Sequence, residues 1–311
     1  MIDILGKRYL FFAISLILIV PGLIVMAVWG LPLAIDFTGG SYLELQFASG
    51  KAPDTEPVYA MYNDMGIKDT SIQTVGEDTL IIRSSFLDES VRSQVISSLE
   101  QRFNDKITIR QSDSVGPSVG REVASRAAGA VGVAALIVVL FITFAFRGIP
   151  HAFRYGVCAI IAMIHDVAVV LSLSALGGHL LGWQVDSLFL TALLTVIGFS
   201  VQDKIVVFDR IRENSRILRR IPFEKLVNHS IVQTLQRSIN TQLMTVEFML
   251  LALALFGGVT LREFSIILLV GLFMGTYSSL FIAAPILVIW ENREWRTWFG
   301  GRKKNVEVSS H

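Results

Sequence analysis

A carboxylate lies inside an apolar stretch of the sequence that is long enough to cross a membrane. Asp203 follows the run LTVIGFSVQ, and if the segment is helical it is roughly 9 Å deeper than the openly charged Asp209. Charged groups in lipid are costly and usually face a bundle interior or a wet cavity. Because desolvation favours the neutral form of a carboxylate, this position suits a proton relay. A structural carboxylate that is permanently hydrogen-bonded to a neighbouring helix fits the same pattern equally well.

A second intramembrane charge, Arg237, opens a later apolar segment. Helical spacing places it on one face with Gln233, Asn240 and Thr241, which makes a polar stripe at a helix entrance. If the two segments are antiparallel neighbours, Arg237 and Asp203 lie at similar depth. A fixed cation near a carboxylate favours release of its proton. A lone arginine that snorkels to the interface is the alternative, and the polar stripe argues against it.

Further ionisable residues in the apolar runs are Asp166, Glu247 and Lys204. We expect Asp166 to make a hydrogen bond that packs helices, with His165 pointing to a different side. Glu247 is an auxiliary carboxylate or faces a cavity. Lys204 is about 100° around the helix from Asp203, and its long side chain could snorkel to the cytoplasmic surface.

The composition is that of a membrane protein. Of the 311 residues, 52% are hydrophobic and 17% are charged, whereas soluble domains carry about 25% charged residues. A net charge of +1 gives no reason to expect nucleic acid as a partner. We find no Walker A, His-Glu-x-x-His or Cys-x-x-Cys motif, so we expect this chain to draw no energy from ATP that it binds, and we predict neither a metal nor a cofactor.

The apolar runs predict a six-helix membrane bundle. The spans are residues 9–29, 126–146, 152–176, 183–208, 238–256 and 264–290. Lys and Arg are concentrated after the second and fourth spans and in the tail, so the positive-inside rule places both termini in the cytoplasm.

This topology divides the chain. Residues 1–30 hold the first span, 31–121 an extracytoplasmic domain, 122–292 the remaining spans, and 293–311 a cytoplasmic tail. A basic cytoplasmic loop at about 209–230 begins with a helix-end motif, which contains Asp209, Arg210, Arg212, Glu213 and Asn214.

The extracytoplasmic segment alternates strand and helix patterns. SYLELQF, TSIQTV, TLIIRS and KITIRQS predict strands, and the stretches beginning DTEPVY and DESVRS predict helices. The order β-α-β-β-α-β predicts a ferredoxin-like α+β sandwich.

A turn motif precedes the first strand. In DFTGG, the residues Asp36, Gly39 and Gly40 suit a tight turn after the first span, with Phe37 between them. We interpret this motif as a structural hinge.

Several stretches together resemble one family. IDFTGG, IHDV, VVFDRIREN, QRSINT and LALALFGG, with six spans and one large outer domain, are similar to the SecF family of the bacterial Sec translocase, within the RND superfamily. The resemblance covers nearly the whole chain. It implies a multi-pass protein of the bacterial inner membrane that uses the proton gradient to drive late steps of polypeptide export. It implies SecD as partner in a SecDF complex, with SecYEG, the exported polypeptide and, as a further candidate, YidC.

The resemblance also assigns residues. Its proton-pathway positions match Asp203 and Arg237 here, with Asp166 and Glu247 as further candidates. The family typically reads Ser-Ile-Asn-Asp-Thr where this chain reads SVQDK, so Lys204 adds a cation beside the carboxylate.

Two other functions are compatible with the residues. The chain could be a passive scaffold of the translocon, in which the charges only join helices. It could instead be an RND-type exporter of lipids or small molecules, although its small outer domain argues against that.

Overall fold

The computed structural model describes residues 3–147, 152–242 and 248–294. A 3₁₀ turn, Leu5–Lys7, precedes the first helix. The helices are α1 Arg8–Trp29, α2 Ile35–Thr38, α3 Thr55–Asp64, α4 Glu89–Phe103, α5 Pro117–Ala145, α6 Ala152–Leu181, α7 Ser187–Ile217, α8 Phe223–Gln242, α9 Phe248–Phe256, α10 Val259–Ser278 and α11 Ala284–Glu291. The strands are β1 Gly40–Phe47, β2 Ser71–Val75, β3 Thr79–Ser84 and β4 Ile107–Val115.

Long apolar helices dominate the chain. Within the described ranges, five helical segments are long and apolar enough to cross a membrane: Leu5–Trp29, Pro117–Ala145, Ala152–Leu181, Ser187–Ile217 and Leu261–Glu291. The remaining predicted span, 238–256, contains residues 243–247, which lie outside the described residues. The last segment is continuous because a π-helical turn, Ser279–Ala283, joins α10 to α11.

The chain divides into two compact units. One contains the described parts of 1–30, 133–176 and 191–311, and the other contains 31–132 and 177–190. We call the first the bundle unit and the second the sheet unit. Helices α5, α6 and α7 each contribute residues to both.

The sheet unit contains one antiparallel sheet with strand order β2-β3-β1-β4. β1 lies in the middle, where Leu45 pairs with Leu80 of β3 and Phe47 pairs with Ile107 of β4. The predicted strands and helices of this segment are all present, with ends that differ by a few residues.

The core of the sheet unit forms because strand side chains alternate between the two faces of the sheet. Inward-facing residues of β1 and β3 pack with one apolar face each of α3 and α4. The buried members are Leu43, Leu45, Phe47, Val58, Met61, Tyr62, Ile67, Leu80, Ile82, Leu87, Val95 and Leu99. Helix α4 begins where the Asp88 carboxylate accepts a hydrogen bond from the Val91 N–H, and its C-cap is Asn104 in the left-handed conformation.

The helix-end motif is helical. α7 continues past Asp209 to Ile217, and α8 begins at Phe223, so the connection between them is short. Asn214 Nδ2 donates to Ser230 Oγ at 2.8 Å and to Gln233 Oε1 at 2.9 Å, while Arg210 Nε donates to the same Gln233 oxygen. The motif therefore fastens α7 to α8.

Candidate functional site

A buried carboxylate, Asp166 of α6, is the centre of a polar cluster in the bundle unit. Only 1% of its surface is exposed. Its Oδ2 accepts hydrogen bonds from Ser200 Oγ of α7 at 2.5 Å and from Ser278 Oγ of α10 at 2.7 Å. The helix-packing hydrogen bond predicted for Asp166 is thus present, and it joins α6 to both α7 and α10.

Lys204 completes this cluster. Its Nζ lies 2.7 Å from Asp166 Oδ2 and 3.0 Å from Ser278 Oγ, and it also donates to Ser200 Oγ. The side chain is 0% exposed. The prediction that Lys204 snorkels to the surface is therefore wrong. A buried carboxylate within reach makes an ion pair, and this pairing offsets part of the cost of burying both charges.

Asp203 is buried on the same helix, with 8% of its surface exposed. Its Oδ2 accepts a hydrogen bond from Thr276 Oγ1 of α10 at 2.9 Å. Asp203 and Lys204 are consecutive, so they project about 100° apart and reach different hydroxyl groups of α10. Asp166 therefore has a lysine ammonium among its partners, and Asp203 has a threonine hydroxyl among its own.

Close helix packing brings α10 to these groups. A Cβ added at Gly271 would lie 2.3 Å from Val196 Cγ2 of α7, and one at Gly275 would lie 3.4 Å from Ser200. Small residues permit this approach of helix backbones in membranes. Ser278 ends α10 where the π-helical turn begins, and single π turns in helices are frequent at functional sites.

His165 extends the cluster toward α1. Its Nδ1 lies 3.0 Å from Asp166 Oδ1, so the imidazole does not point away from Asp166 as predicted. The ring stacks on Tyr277, whose hydroxyl donates to the Phe11 carbonyl at 2.8 Å. Among the described residues, His165 Nε2 is buried with no hydrogen-bond partner.

Arg237 lies on α8, is exposed and lines a pocket of about 380 Å³. The pocket lining consists of Ile205, Val206, Asp209, Arg210, Glu213, Gln233, Thr234 and Arg237. This lining begins two residues after Asp203 on the same helix. Proximity of Arg237 to Asp203 stays a prediction, and Glu247 lies outside the described residues.

The turn motif belongs to the sheet unit. Asp36 Oδ2 accepts hydrogen bonds from the Ser187 N–H at 3.0 Å and from Ser187 Oγ, so it caps the start of α7. Gly39 has φ +75°, and a Cβ there would lie 2.7 Å from Pro117 Cα. Phe37 is buried, and Gly40 follows with φ +135°. These contacts give the motif a structural role at a place where three segments meet.

The sequence left part of the site unidentified. Ser200, Thr276 and Ser278 supply the hydroxyl groups, and we assigned none of them a role. The only signal was weak: Ser200 stands one helical turn before Lys204, and hydroxyl residues interrupt the apolar end of α10.

Two stretches of this chain match known protein families, and both contain motifs on which the resemblance was based. Residues 94–293 match the family described as Protein export membrane protein SecD/SecF, C-terminal, and residues 24–50 match the SecD/SecF GG Motif. The chain belongs to the SecD/SecF family. The second match contains the turn motif.

Relatives within the SecD/SecF family cover almost the whole chain. A protein translocase subunit SecF of Anaerolinea thermophila is 70% identical over 96% of this chain and 97% of its own length. A protein translocase subunit SecDF of Thermus thermophilus is 36% identical over 85% of this chain and 35% of its own length. These relatives confirm the resemblance that the motifs indicated.

A solved structure supports the same assignment. The crystal structure of SecDF from Thermus thermophilus, described as a translocon-associated membrane protein, is similar with a TM-score of 0.81 at 33% identity. The match covers 94% of this chain and 39% of that one. The fold is therefore that of a SecDF-like membrane protein with a small antiparallel sheet.

Proposed function

We propose that this chain is a SecF-type subunit of the Sec protein-export machinery, and that it uses proton entry at Asp203 to drive late steps of polypeptide translocation. The family assignment supports export as the function. The observation that carries the proton role is the buried Asp203 carboxylate, which accepts a hydrogen bond from the Thr276 hydroxyl of α10. A carboxylate with a hydroxyl partner can exist in both protonation states, because the hydroxyl donates to one form and accepts from the other.

The proton would act through helix packing. When Asp203 is ionised, Thr276 Oγ1 donates to it and joins α7 to α10. When Asp203 is protonated, the carboxylic acid can donate to the threonine oxygen, and this hydrogen bond no longer involves a charged group. The free energy of protonating Asp203 would therefore depend on how α7 packs against α10. Such a dependence couples proton binding to a change in helix packing.

Arg237 supplies the second part of this mechanism. Arg237 is exposed on α8, and it lines a pocket whose other polar residues come from α8 and from the part of α7 that follows Asp203. A hydrated cation there would favour release of the proton from Asp203. Glu247 remains an auxiliary candidate for the same pathway.

The remaining architecture follows the sequence-based topology. We infer six spans, with both termini cytoplasmic and the sheet domain as a ferredoxin-like module of residues 31–121 outside the bacterial inner membrane. The fused SecDF relatives support SecD as partner, since this chain spans only 35% of the Thermus protein. SecYEG, YidC and the exported polypeptide complete the proposed assembly.

The test is export in cells that lack their own SecD and SecF and carry this chain with its SecD partner. We expect Asp203→Asn to abolish the part of export that depends on the proton gradient while the complex still copurifies. Arg237→Met should resemble it. Asp64→Asn, at the exposed end of α3, makes the same change outside the proposed proton pathway, so it is the matched control and should keep coupling. Gradient-dependent export by the Asp203→Asn complex would favour the scaffold role and contradict the proposal.

A further inference from the structure

The bundle unit buries a second carboxylate close to the proposed proton carrier. We propose that Lys204 is a positioning residue that keeps Asp166 ionised and withdraws it from proton exchange. This inference rests on the proposed function, because it explains why proton exchange would use Asp203 rather than Asp166.

The surroundings of Lys204 Nζ fit an ammonium. Such a group has three N–H donors and no acceptor. Asp166 Oδ2, Ser278 Oγ and Ser200 Oγ surround it as acceptors, and the Ser200 carbonyl lies 3.3 Å away. The Lys204 side chain is 0% exposed, so its hydrogen-bond partners are protein atoms rather than bulk water.

The surroundings of Asp166 fit a carboxylate. Ser200 and Lys204 donate to its Oδ2, and Ser278 Oγ lies 2.7 Å from the same oxygen, with the Gly275 carbonyl as its other acceptor. A carboxylic acid that carried its proton on this oxygen would place a further hydrogen among these donors. Hydrogen bonds that favour the charged form hold a carboxyl group ionised.

The other titratable groups around this pair have separate partners. On α6, His165 Nδ1 lies 3.0 Å from Asp166 Oδ1 and donates in the tautomer that carries its hydrogen there. On α7, Asp203 accepts from Thr276. On α10, the Tyr277 hydroxyl donates to a backbone carbonyl of α1. Lys204 is therefore the cation bonded to Asp166 in this cluster.

The consequence is a division of roles between two carboxylates. Lys204 and Asp166 together have no net charge, so protonating Asp166 would leave an uncompensated buried ammonium. Protonating Asp203 leaves the pair intact. The pair therefore makes Asp166 the less favourable place for a proton.

Infrared difference spectroscopy tests this division, because a protonated carboxyl group has its own C=O stretching band. The sample is the full chain in proteoliposomes, titrated with acid. In the native chain we expect a titrating band that Asp203→Asn removes. Lys204→Met should add a second band, which disappears when Asp166→Asn is added. Lys204→Arg, which keeps a cation, should add none.

The double variant, Lys204→Met with Asp166→Asn, contains neither charge of the pair. It provides a second measurement if Lys204→Met alone fails to fold. It should keep the native titrating band, because that band does not belong to Asp166. Loss of the band in the double variant, or a native spectrum in folded Lys204→Met, would overturn the inference. If the second band appears in Lys204→Met but Asp203→Asn keeps the native band, the inference on Asp166 stands and the proposed role of Asp203 fails.

Discussion

The sheet unit and the bundle unit stabilise their interiors in opposite ways. The sheet unit buries an apolar cluster from β1, β3, α3 and α4, and its carboxylates Asp78, Asp88 and Asp105 lie at the surface. The bundle unit buries an ion pair, Lys204 with Asp166, among serine hydroxyls. The apolar cluster of the sheet unit contains no charged side chain, whereas a charged pair joins helices in the bundle unit.

The difference follows from the two surroundings. Water surrounds the surface of a sheet domain, so burying apolar groups drives its folding. Lipid is as apolar as leucine, so apolar burial gives little preference between helix neighbours, and polar contacts and close packing decide. We therefore expect the most destabilising substitutions to act differently in the two units. In the bundle unit they leave a charge unpaired, and in the sheet unit they leave a cavity.

The largest effect should come from breaking the ion pair. Lys204→Met leaves Asp166 without its cation, and removing one partner of a buried pair costs about 3–5 kcal/mol. The midpoint of thermal unfolding of the purified protein in detergent should fall accordingly. Adding Asp166→Asn removes the stranded charge and should recover most of the loss.

Lys225→Met is the matched control for this experiment, because Lys225 lies exposed on α8. It removes the same charge from the surface and should leave the midpoint nearly unchanged. A double variant no more stable than Lys204→Met alone would show that the pair is not what holds the three helices.

A truncation in the sheet unit should cost nearly as much for a different reason. Leu45 is fully buried in the middle of the sheet, and Leu45→Ala leaves a cavity that costs about 2–5 kcal/mol. Amide hydrogen exchange in β1 and β3 of the full chain should speed up. Tyr59→Ala removes a larger but exposed side chain of α3, so equal acceleration by both variants would contradict the cavity argument.

The same contrast explains what could be predicted from sequence. In the sheet unit, alternation and helical periodicity mark the buried face directly, because exposed positions are polar. The strands of SYLELQF and TLIIRS and the helix that begins at DESVRS were therefore predictable to within a few residues. In the bundle unit, lipid-facing and protein-facing positions are both apolar, so periodicity does not show which helices touch.

Lys204 illustrates the limit. Its position on the helix was correctly placed about 100° from Asp203, but its partner lies 38 residues earlier on another helix. Only the packing of α6 against α7 and α10 brings Asp166 within reach. The hydroxyl groups of Ser200 and Ser278 were unassigned for the same reason, since serine in a membrane helix is common without a role.

A smaller effect should separate backbone strain from steric contact within the sheet unit. Gly39 and Gly50 have nearly the same φ, +75° and +76°, but a Cβ at Gly39 meets Pro117 whereas one at Gly50 meets open space. Gly50→Ala should cost only the left-handed backbone conformation, about 1 kcal/mol. Gly39→Ala should cost more, about 1–3 kcal/mol, because Gly39 also has ψ +163°, a region that essentially only glycine adopts, and because the α5 backbone must move.

The loss is measured as the urea midpoint for unfolding of the sheet unit, followed by hydrogen exchange in β1 and β4 of the full chain. Equal midpoints for the two glycine variants would mean that the approach of Pro117 relaxes without cost. The structural role of the turn motif would then rest on Asp36 and its bond to Ser187 alone.

The smallest effect should be the pH dependence that the helix cap of α4 contributes. Hydrogen bonds from the Val91 N–H and the Ser90 hydroxyl lower the pKa of Asp88 below its usual value. A carboxyl with a lowered folded-state pKa stabilises the fold above the unfolded pKa, about 3.9, and loses that contribution as pH falls through its folded pKa. Asp88→Asn caps the helix about as well but does not titrate. The urea midpoint of the sheet unit should therefore fall more steeply in the native chain than in Asp88→Asn below about pH 4. Parallel curves would show that the cap acts through its hydrogen bond and not through its charge.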